Sequence, residues 1–318
     1  MFLVCMTWQS ILFLCAGLAI VVYGADEAIK RLLNLSRFFR LSVFAAGVLI
    51  AGTLAVLPEM SIGVIAALDG TPSFGLGIIL GSNVADLTLV IGVVVLFAGE
   101  LSLNSTVLRH LRVSFLAVLL PVLLLFDGEI STIDGGILLF AFIVYAFWLL
   151  KRGRNGEELI RRRGIVRFAI EVSLLIIGIT VLFIGSSLVT EEAQTISFSL
   201  GLPLFLLGVV VAVGTCLPEL AFSIRACETK NCELGLGNIL GNVLADSMLT
   251  IGIIALIQPI RPSNLIFPLS TGAFMVFSVL LVYWRSRKGK LNRKDAALLI
   301  AVYTIFLAIQ SSIEALNI

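Results

Sequence analysis

The chain has 318 residues, of which 59% are hydrophobic and only 13% are charged, and its mean hydropathy is +1.11. Soluble domains carry about 25% charged residues, so this composition excludes an ordinary soluble enzyme or binding domain. The formal net charge of +2 is too small to predict nucleic acid as a partner. The sequence therefore predicts a protein whose main surroundings are the lipid bilayer.

Apolar segments long enough to cross a membrane recur along the whole chain. A helix needs about 20 apolar residues to span the ~30 Å hydrocarbon core. By this criterion the sequence predicts an all-α integral membrane protein with ten transmembrane helices, at residues 8–27, 41–67, 74–98, 107–126, 132–150, 165–189, 199–225, 234–258, 264–284 and 296–315.

The basic residues fall on alternate connections between these predicted helices. Of the 22 Lys and Arg residues, 21 lie on one side of the membrane if ten helices are present. The positive-inside rule then places the basic connections in the cytoplasm and both termini outside it. We expect a multi-pass protein of the cell membrane.

A short polar motif occurs twice in this apolar background. The first copy has Pro58-Glu59 and, further on, Asp86; the second has Pro218-Glu219 and Asp246. An acidic side chain at the centre of a membrane helix costs about 2.5–3.5 kcal/mol, so placing it repeatedly in register indicates a buried cation site. Eight residues recur 160 positions later without a gap: Pro58, Glu59, Gly75, Gly77, Gly81, Ala85, Asp86 and Gly92.

The duplication divides the chain into two repeats of five helices. The first repeat is residues 1–150, with its motif at 52–92, and the second is residues 165–318, with its motif at 212–252. A basic cytoplasmic linker, residues 151–164, connects them. Because five is odd, the second repeat enters the membrane in the opposite orientation. Inverted repeats are common in transporters, with the site at the repeat interface near the midplane.

Helical spacing and proline chemistry predict the site itself. Residues four apart share a helix face, and prolines inside the second and seventh helices free backbone carbonyl oxygens one turn earlier. Carboxylate, hydroxyl and carbonyl oxygens are the ligands of hard cations such as Ca²⁺ and Na⁺. The Gly77-xxx-Gly81 and Gly237-xxx-Gly241 spacings are typical of close helix packing. The predicted cation-site residues are Glu59, Glu219, Asp86, Asp246, Ser82, Asn242, Thr215 and Cys216.

The two motifs resemble the alpha repeats of the sodium/calcium exchanger family, within the cation/calcium antiporters. The family pattern is Gly-Thr-Ser-x-Pro-Glu followed by Gly-Asn-x-x-Gly-Ser-Asn-x-x-Asn/Asp, and it is similar to residues 214–219 and 237–246 here. The resemblance implies alternating access, with Ca²⁺ exchanged for Na⁺ and no cofactor or obligatory protein partner. It also implies direct Ca²⁺ ligation by two residues, Glu59 and Glu219, completed by Ser82, Asp86, Asn242 and Asp246.

Several positions depart from the family pattern. The first-repeat Thr-Ser pair is replaced by Ala55-Val56, which have no side-chain oxygen, and Thr53 would compensate only if the backbone shifts. Cys216 replaces a Ser, and Asp86 stands where Asn is usual. Lost hydroxyls weaken Na⁺ coordination, whereas an extra carboxylate favours a divalent ion or a titrating proton. Proton-coupled exchange of Ca²⁺ or another divalent cation is therefore the alternative.

Two other classes of membrane protein are compatible with parts of the pattern. A carrier of organic metabolites can have five plus five inverted helices, and an intramembrane aspartyl protease needs two acids on adjacent helices. Neither class needs four carboxylates and two Pro-Glu kinks in register, so we expect a transporter of cations and no enzyme. The other four of the five cysteines are predicted to be apolar packing residues, because no CxxC pair is present.

Overall fold

The computed structural model describes residues 2–36, 55–103, 105–152, 165–228 and 232–315. Within these ranges the chain is almost entirely helical. The α-helices, numbered in chain order, are α1 (Phe2–Ser36), α2 (Leu57–Leu68), α3 (Pro72–Ala85), α4 (Ile91–Ala98), α5 (Ser105–Leu124), α6 (Thr132–Arg152), α7 (Ile165–Leu200), α8 (Leu204–Thr215), α9 (Leu217–Glu228), α10 (Cys232–Ala245), α11 (Ile251–Ile257), α12 (Ile266–Ser286) and α13 (Arg293–Ala315).

Two π-helical turns join pairs of these helices. One, Asp86–Val90, lies between α3 and α4, and the other, Asp246–Thr250, lies between α10 and α11. Each turn is five residues long and begins at a predicted site aspartate. Such π-bulges occur frequently at functional sites, because they break the regular hydrogen-bond ladder.

The described helices confirm an all-α, multi-pass membrane architecture. Eight helical segments in the described ranges are long and apolar enough to cross a membrane, and two shorter apolar helices are Leu57–Leu68 and Thr132–Trp148. The predicted second helix begins at residue 41, so its first part lies outside the described residues. This count does not reach the predicted ten helices. Most of the predicted basic linker, from 153 to 164, also lies outside the described residues.

Two segments form the centre of the molecule. In Pro72–Ala98 and Gly235–Ile257 the buried shares are 89% and 83%, whereas in Phe168–Leu200 the share is 28%. The outer helices expose large apolar side chains such as Phe140 and Phe147, as expected for a lipid-facing surface. The two central segments carry the aspartates, which are therefore shielded from lipid by the other helices.

Helices α1 and α7 pack closely along each other at the edge of the molecule. A Cβ atom on Gly24 would lie 2.6 Å from the backbone nitrogen of Leu182, so only glycine permits this approach. Arg31 forms ion pairs with Glu27 on its own helix and, at 3.4 Å, with Glu171 on α7. Arg31 therefore links α1 to α7 through charge as well as packing.

Helix α7 also contacts the helix that carries Glu59. Ser186 donates a 2.7 Å hydrogen bond to the hydroxyl of Ser61, and Ser61 donates a 2.8 Å hydrogen bond to the carbonyl of Pro58. Both serines are buried. The outer helix pair is thus linked to the backbone next to a predicted ligand.

Short extended segments from different halves of the chain pair with each other. The strands β1 (Glu100–Ser102) and β2 (Lys290–Asn292) form an antiparallel ribbon. Ile130 and Ile260 exchange two backbone hydrogen bonds of 3.0 Å. The first pairing involves two predicted cytoplasmic connections and the second two predicted external ones, so each pairing joins loops that were expected on the same side.

One expectation about the cysteines is wrong. Cys227 at the end of α9 and Cys232 at the start of α10 form a disulfide. Their separation of five residues does not match the CxxC spacing that sequence reasoning looked for. The helix ends bring the two side chains together across a short connection, which linear spacing did not reveal.

Candidate cation site

All eight predicted site residues lie inside the protein. None is more than 3% exposed, and six of them are completely buried. The structure places them on the interrupted helices at the molecular centre: α2 and α3 with the first π-turn, and α8, α9 and α10 with the second. Buried charges of this kind require partners or a bound ion.

The two halves are cross-linked through side chains of the site. Ser82 donates a 3.1 Å hydrogen bond to Oδ2 of Asp246, and Asn242 donates a 2.7 Å hydrogen bond to Oδ2 of Asp86. In each case the donor lies four residues before the aspartate of its own segment and binds the aspartate of the other. The arrangement is reciprocal, as the repeated motif predicts.

Each site glutamate follows a proline in the first turn of a helix. Helix α8 ends at Thr215 and α9 begins at Leu217, so the predicted kink is a break in the helix at Cys216. Glu219 lies in the first turn of α9, and Glu59 lies in the first turn of α2. The positive end of each helix dipole therefore faces a carboxylate, which favours negative charge there.

The side chains of Thr215 and Cys216 have different hydrogen-bond partners. Thr215 donates a 3.0 Å hydrogen bond to the carbonyl of Ala212, and its side chain lies near Glu59. The Cys216 thiol donates at 3.7 Å to the carbonyl of Ser82. Both residues therefore connect the second repeat to groups of the first.

The four carboxylates are close enough to repel one another. Glu59 interacts electrostatically with Glu219 and Asp246, and Asp86 interacts with Glu219 and Asp246. These like charges lie in a part of the protein from which solvent is excluded. A cation between them would offset both the repulsion and the loss of hydration.

Several buried oxygen atoms of the site have no hydrogen-bond partner in the described structure. The group of residues that carry them is called the cage below. Among the described residues, six such buried oxygens belong to five site residues: both oxygens of Glu59, and Asp86 Oδ1, Glu219 Oε2, Asn242 Oδ1 and Asp246 Oδ1. Buried polar atoms are normally satisfied, and an orphaned one costs about 1–3 kcal/mol. Carboxylate and amide oxygens are the ligands that hard cations such as Ca²⁺ and Na⁺ prefer, and here such a cation would be the transported substrate.

The described residues do not contain a compact, ready-made metal centre. No group of three or more His, Cys, Asp or Glu side chains in these ranges has the arrangement of a resident metal site. The two aspartates instead accept hydrogen bonds from the hydroxyl of Ser82 and the amide of Asn242. This arrangement differs from a structural metal site, where the ion is permanently enclosed.

Sequence reasoning missed one polar contact beside the site. Asn83 donates a 3.1 Å hydrogen bond to Ser247, and both side chains are completely buried. Their counterparts 160 residues away are Val243 and Leu87, so this cross-link exists in only one direction. The break in the repeat at these two positions was the available signal.

The first-repeat departures persist in the structure. Ala55 and Val56 are buried and supply no side-chain oxygen, and Thr53 lies outside the described residues. The glycine spacings also differ between the repeats. A Cβ on Gly77 would collide with the Phe205 carbonyl, whereas Gly237 is exposed and has no such neighbour within 4 Å. The prediction of close packing is therefore confirmed for Gly77 and wrong for Gly237.

Comparison with known proteins identifies the family. The profile of the sodium/calcium exchanger protein family matches twice, at residues 9–151 and 170–312. The chain belongs to the sodium/calcium exchanger family. Its members are membrane transporters, so the chain is a cation antiporter of the calcium exchanger type. The double match has an offset of 161 residues, close to that of the motifs.

Relatives of this exchanger align over most of its length. The Uncharacterized membrane protein MJ0091 of Methanocaldococcus jannaschii is 27% identical and covers 92% of this chain and 95% of its own. The Inner membrane protein YrbG of Escherichia coli is 26% identical, with 93% and 94% covered. The Sodium/calcium exchanger MaX1 of Methanosarcina acetivorans is 27% identical over 45% of this chain and 41% of its own.

Solved structures of an exchanger share the fold. The sodium-calcium exchanger NCX_Mj, soaked with 10 mM Na⁺ and zero Ca²⁺, is 26% identical to this exchanger. The match has a TM-score of 0.67 and covers 95% of this chain and 99% of that chain. The same protein soaked with 100 mM Na⁺ and 10 mM Sr²⁺ gives a TM-score of 0.66.

Proposed function

We propose that this exchanger moves Ca²⁺ across the membrane in exchange for Na⁺, by alternating access to one site near the membrane midplane. The observation that carries the proposal is the reciprocal pair of hydrogen bonds, Ser82 to Asp246 and Asn242 to Asp86, which holds two buried aspartates between the halves of the chain. The buried Glu59 and Glu219 interact electrostatically with these aspartates. The printed names of MaX1 and NCX_Mj, both sodium/calcium exchangers, support the choice of ions.

The ion is held by side chains of both repeats. Glu59 and Glu219 are the principal Ca²⁺ ligands, because they begin their helices and carry three of the orphaned oxygens. Ca²⁺ takes 6–8 oxygens, and the six orphaned oxygens of the cage equal the lower limit of this range. The remaining ligands are Asp86, Asp246, Ser82, Asn242 and Thr215, with Cys216 at the margin of the site.

The complete architecture is ten transmembrane helices in two inverted repeats. The double family match and the two loop pairings, β1 with β2 and Ile130 with Ile260, support this arrangement. We assign the first repeat to residues 1–150, the cytoplasmic linker to 151–164 and the second repeat to 165–318. The distribution of basic residues places both termini outside the cytoplasm.

Exchange follows from competition for the same oxygens. The empty cage holds up to four negative charges, and moving them past the apolar core without a cation is prohibitively costly. Bound Ca²⁺ or bound coupling ions reduce this charge, so only the occupied forms switch between the outward-facing and inward-facing states. Binding of Na⁺ at overlapping oxygens lowers the affinity for Ca²⁺ and releases it on the other side.

Proton coupling is the second candidate. The observation that favours it is Asp86, whose carboxylate makes the acidic set symmetric, together with the missing hydroxyls at Ala55 and Val56. In this case protons neutralise the carboxylates after Ca²⁺ leaves. A pH-sensitive dye inside vesicles would detect alkalinisation during Ca²⁺ entry, which Na⁺ coupling does not produce.

The ligand assignment is tested by a charge-removing variant with a matched control. Glu219→Gln should abolish ⁴⁵Ca²⁺ uptake into proteoliposomes, because the amide keeps the shape of the side chain but loses its charge. Glu191→Gln, at an exposed position on α7, should leave uptake unchanged. Undiminished uptake by Glu219→Gln would overturn the assignment.

A further inference from the structure

A tyrosine from outside both repeated motifs is buried near the cage. Tyr303 on α13 is 5% exposed, and its hydroxyl has no hydrogen-bond partner among the described residues. Its ring packs against Phe306 at 5.9 Å between centroids. The apolar half of the side chain is therefore well accommodated, but the hydroxyl is not, and burying it unsatisfied costs about 1–3 kcal/mol.

The helix packing places Tyr303 at the height of the first π-turn. A Cβ on Gly92 would touch Ile300 and the carbonyl of Ala296, so α4 and α13 are in contact at this level. The two helices run antiparallel, because the antiparallel strands β1 and β2 directly follow α4 and directly precede α13. Moving three residues along α13 from Ile300 corresponds to about 4.5 Å, which leads back along α4 towards Asp86–Val90.

Tyr303 also lies close enough to the thiol of the site for the two groups to interact. Tyr303 and Cys216 interact electrostatically, although they belong to different helices. Cys216 in turn contacts the Ser82 carbonyl and interacts with Asp86. Sulfur is a soft ligand and binds hard cations such as Ca²⁺ poorly, so this edge of the cage needs an oxygen from elsewhere.

The other repeat provides an internal comparison. Gly92 contacts Ala296 and Ile300, and its counterpart Gly252 contacts Gly135 and Leu139. Gly135 and Leu139 on α6 therefore correspond to Ala296 and Ile300 on α13, and both pairs are 161 residues apart. By this offset the counterpart of Tyr303 is Phe142, and by the motif offset the counterpart of Cys216 is Val56.

The polar residues Tyr303 and Cys216 thus occur as a pair, and at the equivalent positions both residues, Phe142 and Val56, are apolar. Phe142 packs beside Leu244 and Met248 in an apolar cluster, and Val56 is fully buried. In that repeat neither position has a polar group. A residue at position 303 that served only for packing would not need a hydroxyl, because Phe142 packs at the equivalent position without one.

We propose that Tyr303 is a further ligand of the transported cation, and that its phenol oxygen supplies the oxygen which Cys216 lacks. This proposal rests on the proposed function and names one more residue of that site. The Asp86 edge of the cage, lined by Tyr303 and Cys216, then differs from the opposite edge, lined by Phe142 and Val56. The two edges of a repeated site therefore bind a cation unequally.

The test is ⁴⁵Ca²⁺ equilibrium binding to the purified, full-length protein in detergent. Tyr303→Phe should raise the dissociation constant at least about tenfold, since even residues that only support a metal ligand are worth that much. Cys216→Ser added to Tyr303→Phe should restore binding to within about threefold of the starting protein, because the serine hydroxyl replaces the missing oxygen. This rescue separates ligation from a packing effect.

Tyr145→Phe is the matched control. Its hydroxyl is also buried without a partner among the described residues, and its ring stacks on Trp148 at 6.3 Å. Binding should be unchanged in this variant. Equal binding by Tyr303→Phe and the starting protein, or a loss that Cys216→Ser does not rescue, would overturn the proposal. Absence of Ca²⁺ binding by the starting protein itself would overturn the proposed function and this inference together.

Discussion

Asn242 donates a 2.7 Å hydrogen bond to Oδ2 of Asp86, although the two residues are 156 positions apart in the chain. The bond joins the eighth predicted helix to the third at the point where a π-turn begins. It leaves Oδ1 of both side chains without a partner in the described structure. One contact therefore joins the two halves of the chain and fixes two side chains that each keep one buried oxygen without a partner.

Removal of this donor should affect stability and binding together. Asn242→Ala leaves the second oxygen of Asp86 unsatisfied, and we expect a loss of about 1–3 kcal/mol in stability. Thermal unfolding in detergent would measure it, and ⁴⁵Ca²⁺ binding should weaken in parallel. Asn238→Ala, one turn earlier on the same helix and only half-buried, is the control and should change stability by less than about 0.5 kcal/mol.

Neutralising Asp86 should change the pH response. Asp86→Asn keeps an oxygen that can accept from Asn242, so we expect Ca²⁺ uptake to continue. The variant has one fewer carboxylate for protons to occupy, and acid should therefore inhibit its uptake less than that of the starting protein. Initial rates of ⁴⁵Ca²⁺ uptake over a series of pH values check this, and superimposable pH profiles would contradict it.

Equivalent glycines in the two repeats should respond differently to the same substitution. Gly77→Ala places a methyl group against the Phe205 carbonyl, and overpacking of this kind costs about 1–3 kcal/mol. Gly237→Ala meets nothing within 4 Å and gains helix propensity, so it should be neutral or slightly stabilising. The two unfolding temperatures give the comparison directly; equal decreases would mean that the helix packing is wrong.

Ligand addition should stabilise the protein through the cage. At a Ca²⁺ concentration a hundredfold above the dissociation constant, we expect about 2.7 kcal/mol of added stability. Mg²⁺ should give less, because it demands a near-ideal octahedron and gives up water reluctantly. Unfolding temperatures with each ion and with a chelator test this, and Glu59→Gln should remove most of the Ca²⁺ effect.

Much of the site was predictable because buried charge is expensive. Glu59 and Asp86, repeated as Glu219 and Asp246, lie in apolar sequence where only a function compensates for their cost, and all four are buried in the structure. The regular spacing of the motif also predicted the donors Ser82 and Asn242. Periodicity and charge are properties that a linear sequence displays.

The remaining features depend on packing between distant segments. Both π-turns are hydrogen-bond patterns, and a four-residue spacing alone predicts an ordinary helix through Asp86. Gly77 and Gly237 occupy equivalent places in similar sequences but have different spatial neighbours. Tyr303 lies more than fifty residues beyond the second motif, so only the contact between α4 and α13 brings it to the cage.

The most direct measurement is ⁴⁵Ca²⁺ uptake into proteoliposomes loaded with Na⁺, compared with vesicles made acidic inside and with vesicles without a gradient. Our account predicts uptake driven by the outward Na⁺ gradient, and its loss in Glu219→Gln. Uptake driven only by the proton gradient would contradict Na⁺ coupling and favour the second candidate. No uptake under either gradient would contradict Ca²⁺ exchange itself.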